Sequence, residues 1–355
     1  MSNSRRSYII AAELAFPRNR VSQVDITEEL VKIWPKQEKI VRKIFSNTGV
    51  ESRNLAMELS KYKDLTDFGE RNRLWTNEAL RLVEMSCKKL LEKVDLAPSE
   101  IDVLIDTTVT GLAIPALGAR LMNKLPFSRQ AKRIPLFGLG CLGGVAGIAR
   151  AHDYLVGHPD QAVLFFAVEL CSLTFQFGDE GTANIVGSGL FADGAASILM
   201  VGEEHPLAKV SKLAVRNSAS NFYPETERVM GWDISSSGFN IVLSGNVPEV
   251  VEENIPKDVQ AFLKSNDLDI KDIQEVISHP GGPKVLDALA KAVQKDREFF
   301  RHSWDSLKDN GNMSSVSVLD VLSRSLGDEQ KVGTKGLMLA MGPAFCSEMV
   351  LTERV

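Results

Sequence analysis

The chain is poor in the residues that build covalent or metal-held frameworks. Its 355 residues include four cysteines, Cys87, Cys141, Cys171 and Cys346, widely separated and without a CxxC pair. That spacing excludes a disulfide scaffold and a zinc ribbon and points to a reduced, cytoplasmic protein. A basic excess is also missing. Lys and Arg number 41 against 46 Asp and Glu, a net charge of −5, so a mainly electrostatic nucleic-acid binder is not expected. No long apolar run opens the chain: behind Arg5 and Arg6 the stretch from Tyr8 to Ala12 stops at Glu13, too short for a signal peptide or a membrane span. Glycine-rich pieces occur, but none forms GxGxxG behind a strand or a P-loop, so nucleotide binding is not expected either.

What is present suits an α/β protein. The length corresponds to about two domains at roughly 150 residues each, enough to bury a core without disulfides or metals. Apolar runs at 101–105, 134–137, 162–168, 197–201, 275–277 and 337–341 alternate with segments of helical period, among them 74–94. Continuous apolar strands separated by helices predict a parallel or mixed sheet covered on both faces. The two halves also run in the same order. Asn312 follows Cys141 by 171 residues, each behind a glycine and ahead of a run of small and apolar residues. Stepping back 33 residues from each reaches Thr108 and His279, both just past a strand. This order predicts a duplication, residues 1–206 and 207–355, with its seam near 203–209, where charges and Pro206 break the apolar pattern.

Three side chains stand at places where chemistry gathers in such folds. Cys141 follows a strand through Gly138-Leu139-Gly140 and opens a helix of small residues. Unpaired N–H groups at a helix start favour a thiolate, although a buried cysteine in a tight helix crossing would look the same. Glycines inside that helix cost about 1 kcal/mol each against alanine, which implies close packing on another backbone. His279 ends a strand ahead of Pro280-Gly281-Gly282-Pro283, at the kind of strand end where α/β sites collect, with Pro283 placed to start a helix. The other histidines, His152, His158, His205 and His302, stand in polar contexts and read as surface. Asn312 is either a helix cap or an amide donor to an oxyanion. Nucleophile, imidazole and amide together suit acyl transfer through a thioester, and a cysteine hydrolase would use a similar set.

At this point the text resembles a known family. The stretches 133–144, 279–283, 311–315 and 190–196 resemble, in order and spacing over nearly the whole chain, the type III polyketide synthases, the chalcone synthase-like members of the thiolase superfamily. The resemblance implies a duplicated thiolase fold, five-layered α-β-α-β-α with two mixed sheets, and a homodimer that needs no metal or redox cofactor. It implies that Cys141 carries the acyl group and that His279 and Asn312 hold the thioester oxygen while malonyl-CoA loses CO₂, with His279 also an ion-pair partner for a Cys141 thiolate. It further implies Phe191 as an aromatic gatekeeper, Thr174, Gly187, Ile241 and Ser314 as cavity-shaping positions, and Lys43 as a basic position near the coenzyme A phosphates.

The sequence departs from the plant members at three places. Ile241 replaces a second gatekeeping Phe, Ala340-Met341-Gly342-Pro343-Ala344 replaces GFGPG, and Ile114 stands where a Met reaches across the dimer. The stretches 119–123 and 125–128 look closer to bacterial alkylpyrone synthases. The expectation is therefore a fatty acyl-CoA starter, extended with malonyl-CoA to an alkylpyrone or alkylresorcinol. A ketoacyl synthase III-like single condensation and a non-catalytic acyl-CoA-binding protein are the alternatives.

Overall fold

In the computed structural model, which describes residues 5–355, thirteen strands are formed: β1 (Ser7–Ala15), β2 (Asn19–Ser22), β3 (Ser52–Leu55), β4 (Val103–Thr108), β5 (Lys132–Phe137), β6 (Ala162–Leu170), β7 (Asp193–Gly202), β8 (Leu213–Phe222), β9 (Met230–Ser235), β10 (Gly238–Leu243), β11 (Ile273–Ser278), β12 (Lys335–Gly342) and β13 (Cys346–Arg354). Nine of them make one mixed sheet in the order β11-β12-β13-β8-β1-β7-β6-β4-β5. The order reads alike from its middle outward. β1 lies antiparallel to β7 as β8 does to β13, and β4 runs parallel to β6 as β11 does to β12. The two expected sheets are continuous through a seam of three residue pairs, Ser7 to Ile9 of β1 against Leu213 to Val215 of β8.

Alternation along the strands sets the layers. Leu164, Phe166 and Val168 face a core built on the long helix Phe68–Val94, while Val163, Phe165 and Ala167 face the helices Gly143–Gly157 and Ser317–Leu326. In the other half, Met338 and Ala340 face the same two helices, and Leu337, Leu339 and Met341 face Val247–Ser265 and Pro283–Ala292. Both faces of each strand are therefore covered, as the continuous apolar runs require. The result is the five-layered arrangement, with the two central helices shared by both halves.

The central helices cross at very short range. A Cβ built on Gly144 would lie 2.3 Å from the Ser315 carbonyl oxygen and 2.5 Å from Val318, and one on Gly147 would strike the Phe165 ring at 2.1 Å. This accounts for the glycines that depress helix propensity there. A two-stranded hairpin, β9–β10, stands apart from the main sheet. Phe68 packs edge-on against Phe239 of the hairpin, and the Gln176 amide donates to the Phe239 carbonyl at 3.0 Å. His152 departs from its surface reading: it is buried at 5% exposure and pairs through Nδ1 with the Ser7 hydroxyl at 2.9 Å.

Candidate active site

Cys141 is presented by a turn that only glycine can make. Past β5 the backbone enters the left-handed region at Gly138 (φ +86°) and Gly140 (φ +52°), and a Cβ on Gly140 would meet the Pro343 ring at 2.4 Å. The 3-10 turn Gly140–Leu142 then feeds the helix Gly143–Gly157. The close crossing at Gly144 brings this turn against the turn Ser314–Val316. Ser314 and Cys141 line the same cavity, and the Ser314 side chain works against the burial that raises the thiol. Ser314 itself holds φ +50°, a left-handed conformation that costs a residue with a Cβ roughly 1–2 kcal/mol and that here aims a hydroxyl into the site.

Asn312 is fixed by backbone and side chain together. Gly311 before it has φ +69° and no room for a Cβ, which would lie 3.0 Å from that of Ala192. The Asn312 N–H donates to the Leu190 carbonyl (2.9 Å), and the Ala192 N–H donates to the Asn312 carbonyl (2.8 Å). The side-chain Oδ1 accepts from the Ser314 N–H at 2.8 Å, closing a local turn; the helical turn Ser314–Val316 itself begins behind Met313 without a side-chain cap. With Oδ1 occupied, the amide edge Nδ2 points the other way, 3.4 Å from the Gly281 carbonyl, in the loop that carries His279.

His279 extends β11 by one ladder bond, its N–H donating to the Leu339 carbonyl at 2.9 Å. Pro283 begins the next helix, as expected. The imidazole is 3% exposed, and neither ring nitrogen has a protein partner. A buried group left unpaired costs about 1–3 kcal/mol; such a group is commonly one kept for a ligand.

Burial opposes charge on both Cys141 and His279. It pushes the Cys141 thiol up to about 12, with Glu169 adding to the rise, and it brings His279 down to about 3. The lone thiolate expected from the helix start is therefore not the favoured form of Cys141.

Cys141, Ser314, Phe191, Ile241, Trp232 and Cys171 line one cavity of about 400 Å³, its open mouth included. His279 and Asn312 are not among its lining residues; Asn312 is bonded to the lining residue Ser314 and to Gly281, two residues past His279. Gly187 backs Phe191 and Ile241, since a Cβ there would lie 3.0 Å from Ile241 and 3.3 Å from Phe191. Thr174 turns away: its hydroxyl donates to the Cys171 carbonyl at 2.7 Å. Lys43 sits exposed on the helix Glu38–Phe45, outside the cavity lining.

Two features of the site escaped the sequence reading. The hairpin β9–β10 supplies Trp232 and its neighbours Met230 and Leu243 to the cavity wall. Glu169, fully buried on β6, accepts from the Ser315 hydroxyl (2.6 Å), the Thr110 hydroxyl (2.8 Å) and the Val109 N–H (3.1 Å). Burial raises it to about 7. Its signal was visible as the one carboxylate inside an otherwise apolar nine-residue strand.

Residues 15–220 match the family described as FAE1/type III polyketide synthase-like protein, and residues 214–355 match the chalcone and stilbene synthase C-terminal domain. A 1,3,6,8-tetrahydroxynaphthalene synthase of Streptomyces peucetius subsp. caesius is 40% identical over 98% of this chain and 93% of its own length. A putative chalcone synthase of Bacillus subtilis (strain 168) is 34% identical over 97% and 98%. Among solved structures, the 1,3,6,8-tetrahydroxynaphthalene synthase of Streptomyces coelicolor A3(2) superposes with a TM-score of 0.91 at 29% identity, covering 98% of this chain and 99% of that one.

Proposed function

Because the chain belongs to the type III polyketide synthase family and is thus an acyltransferase, we propose that it loads an acyl group from coenzyme A onto Cys141 and extends it with malonyl-CoA. In the loading step His279 takes the thiol proton, and the sulfur attacks the thioester carbonyl. The bond to the coenzyme A sulfur breaks, and coenzyme A leaves with that proton. In the extension step malonyl-CoA loses CO₂ and leaves an enolate. The His279 N–H and the Asn312 amide donate to the enolate oxygen as its charge develops, in a site where burial strengthens such bonds. The enolate carbon attacks the Cys141 thioester, the sulfur departs, and the lengthened chain remains on coenzyme A. The observation that supports this most is the buried imidazole with two unpartnered nitrogens, in the loop that the Asn312 amide edge faces.

Similarity to the 1,3,6,8-tetrahydroxynaphthalene synthases of Streptomyces supports a malonyl-derived starter and a compact aromatic product as the first reading. The fatty acyl starter with an alkylpyrone or alkylresorcinol product is the second reading, supported by Ile241 in place of a bulkier aromatic. Incubation with malonyl-CoA alone and with a panel of acyl-CoAs, read by mass spectrometry, separates the two. Product from malonyl-CoA alone supports the first, and product only with long acyl-CoAs supports the second. No product without a carrier protein would overturn both.

A homodimer is part of the proposal. Ile114 is 96% exposed, and Phe137 at the end of the edge strand β5 is 56% exposed, a combination of apolar surface and open strand edge that a second copy would cover. Sedimentation as a monomer at micromolar concentration would count against it.

A further inference from the structure

The segment Leu190–Asp193 carries the gatekeeping Phe191 and is bridged by backbone to Asn312, so whatever fixes this segment fixes both. Its partner on the opposite side is a fully buried arginine. Arg53 on β3 is 0% exposed. Its Nη1 donates to the Phe191 carbonyl at 2.5 Å, and its Nη2 donates to Gln23 Oε1 at 2.9 Å. Gln23 in turn donates to the Gly189 carbonyl at 2.8 Å and the Thr48 hydroxyl at 3.0 Å. One guanidinium therefore ties down Phe191 directly and the end of the helix Thr182–Leu190 through a single amide.

The tie is reciprocal and reaches Asn312. Asp193, two residues past Phe191, accepts from the Ala56 N–H at 2.6 Å, three residues past Arg53, and from the Ser172 N–H at 2.8 Å beside Cys171. The Arg53 side chain also passes Gly311, where a Cβ would lie 3.5 Å from Arg53 Cδ. Segment 190–193 is thus held between the guanidinium on one side and the Asn312 backbone on the other. A carbonyl in such a place takes any polar donor; what a planar fork adds is a fixed direction for two bonds at once.

We propose that Arg53 is a positioning residue for the condensation step, its fork holding the Phe191 carbonyl and Gln23 so that the gatekeeper ring and the Asn312 amide keep their places. It touches neither substrate nor reacting atoms. The inference rests on the roles proposed above for Cys141, Phe191 and Asn312, and its test reads them apart. Arg53→Met keeps the volume and loses the fork; Arg53→Lys keeps a charge and one donor. Two half-reactions are followed in the purified full-length protein: acylation of Cys141 by intact mass, and CO₂ release from malonyl-CoA. A third readout is the distribution of product lengths.

In Arg53→Met, CO₂ release is expected to fall at least tenfold, with acylation of Cys141 within about threefold of wild type and a shifted product distribution. Arg53→Lys should lie between. A variant that does not fold is answered by Gln23→Met, which removes the relay at less cost and should shift the product distribution in the same direction. If wild type itself neither acylates nor decarboxylates, the functional reading fails. If wild type does both and the variants lower both half-reactions equally, or change melting temperature with product distribution intact, Arg53 is structural and the inference is overturned.

Discussion

Gly144→Ala tests the crossing on which the site is built. The added Cβ would lie 2.3 Å from the Ser315 carbonyl oxygen and 2.5 Å from Val318 Cγ1. A backbone oxygen cannot be rotated away, so the two helices must separate by about 1 Å to reach ordinary contact. Overpacking of this kind costs about 1–3 kcal/mol, and the helix propensity of alanine returns about 1. The net loss is up to about 2 kcal/mol, or up to about 3 °C in melting temperature for a chain of this size. The separation falls between Cys141 on one side and Ser314 and Asn312 on the other, and a misplacement near 1 Å can lower turnover about 100-fold. Gly157→Ala is the control, at the end of the same helix with nothing within 4 Å of its Cβ; it should leave activity unchanged and stability equal or slightly higher. The assays are thermal melting and product formation. A Gly144→Ala protein that melts at the wild-type temperature and turns over normally would refute the reasoning.

Other expectations follow from individual groups. In His279→Ala the thiol loses its proton acceptor, so iodoacetamide should alkylate Cys141 more slowly at pH 7 than in wild type and about tenfold faster for each pH unit above it; identical profiles would show that the two groups are not coupled. Ala344 holds φ +60° where glycine would sit without strain, so Ala344→Gly should raise stability by about 0.5 kcal/mol, after glycine's greater unfolded freedom is subtracted from a strain of about 1, and a lower melting temperature would contradict this. Glu169 rises from 4.5 to about 7 on folding, so the stability it contributes is complete below pH 4.5 and lost as pH climbs through 7. Glu169→Gln should then gain on wild type between pH 5 and pH 8, by up to about 3 kcal/mol, and a pH-independent difference in melting temperature would argue against a buried proton there.

The positions of Cys141, His279 and Asn312 were legible because strand ends and glycines leave marks in sequence. Cys141 and Asn312 each follow a strand or a helix through a glycine of positive φ, His279 directly follows β11, and the unusual glycines after Cys141 announced a tight crossing. The cavity wall left no such mark. Residues of β9 and β10 are half-exposed and mixed in polarity, so no apolar run flagged Trp232. Arg53 and Asp193 were hidden for a different reason. A charge in a short segment ordinarily faces water, and only the folded chain shows that each of these two meets backbone groups of the other's segment. His152 was misread by the same rule, its polar neighbours concealing a buried contact with Ser7.

The separateness of the β9–β10 hairpin has a practical meaning for how such a protein diversifies. One wall of the chamber is carried on a two-stranded arm whose hydrogen-bond ladder is its own, while Cys141, His279 and Asn312 are held by the central helices and the great sheet. Changing residues on that arm reshapes the mould in which a growing chain folds back on itself, with no strand of the scaffold having to slip. Exchanging 230–243 between members is thus a route to new molecules that leaves the chemistry untouched.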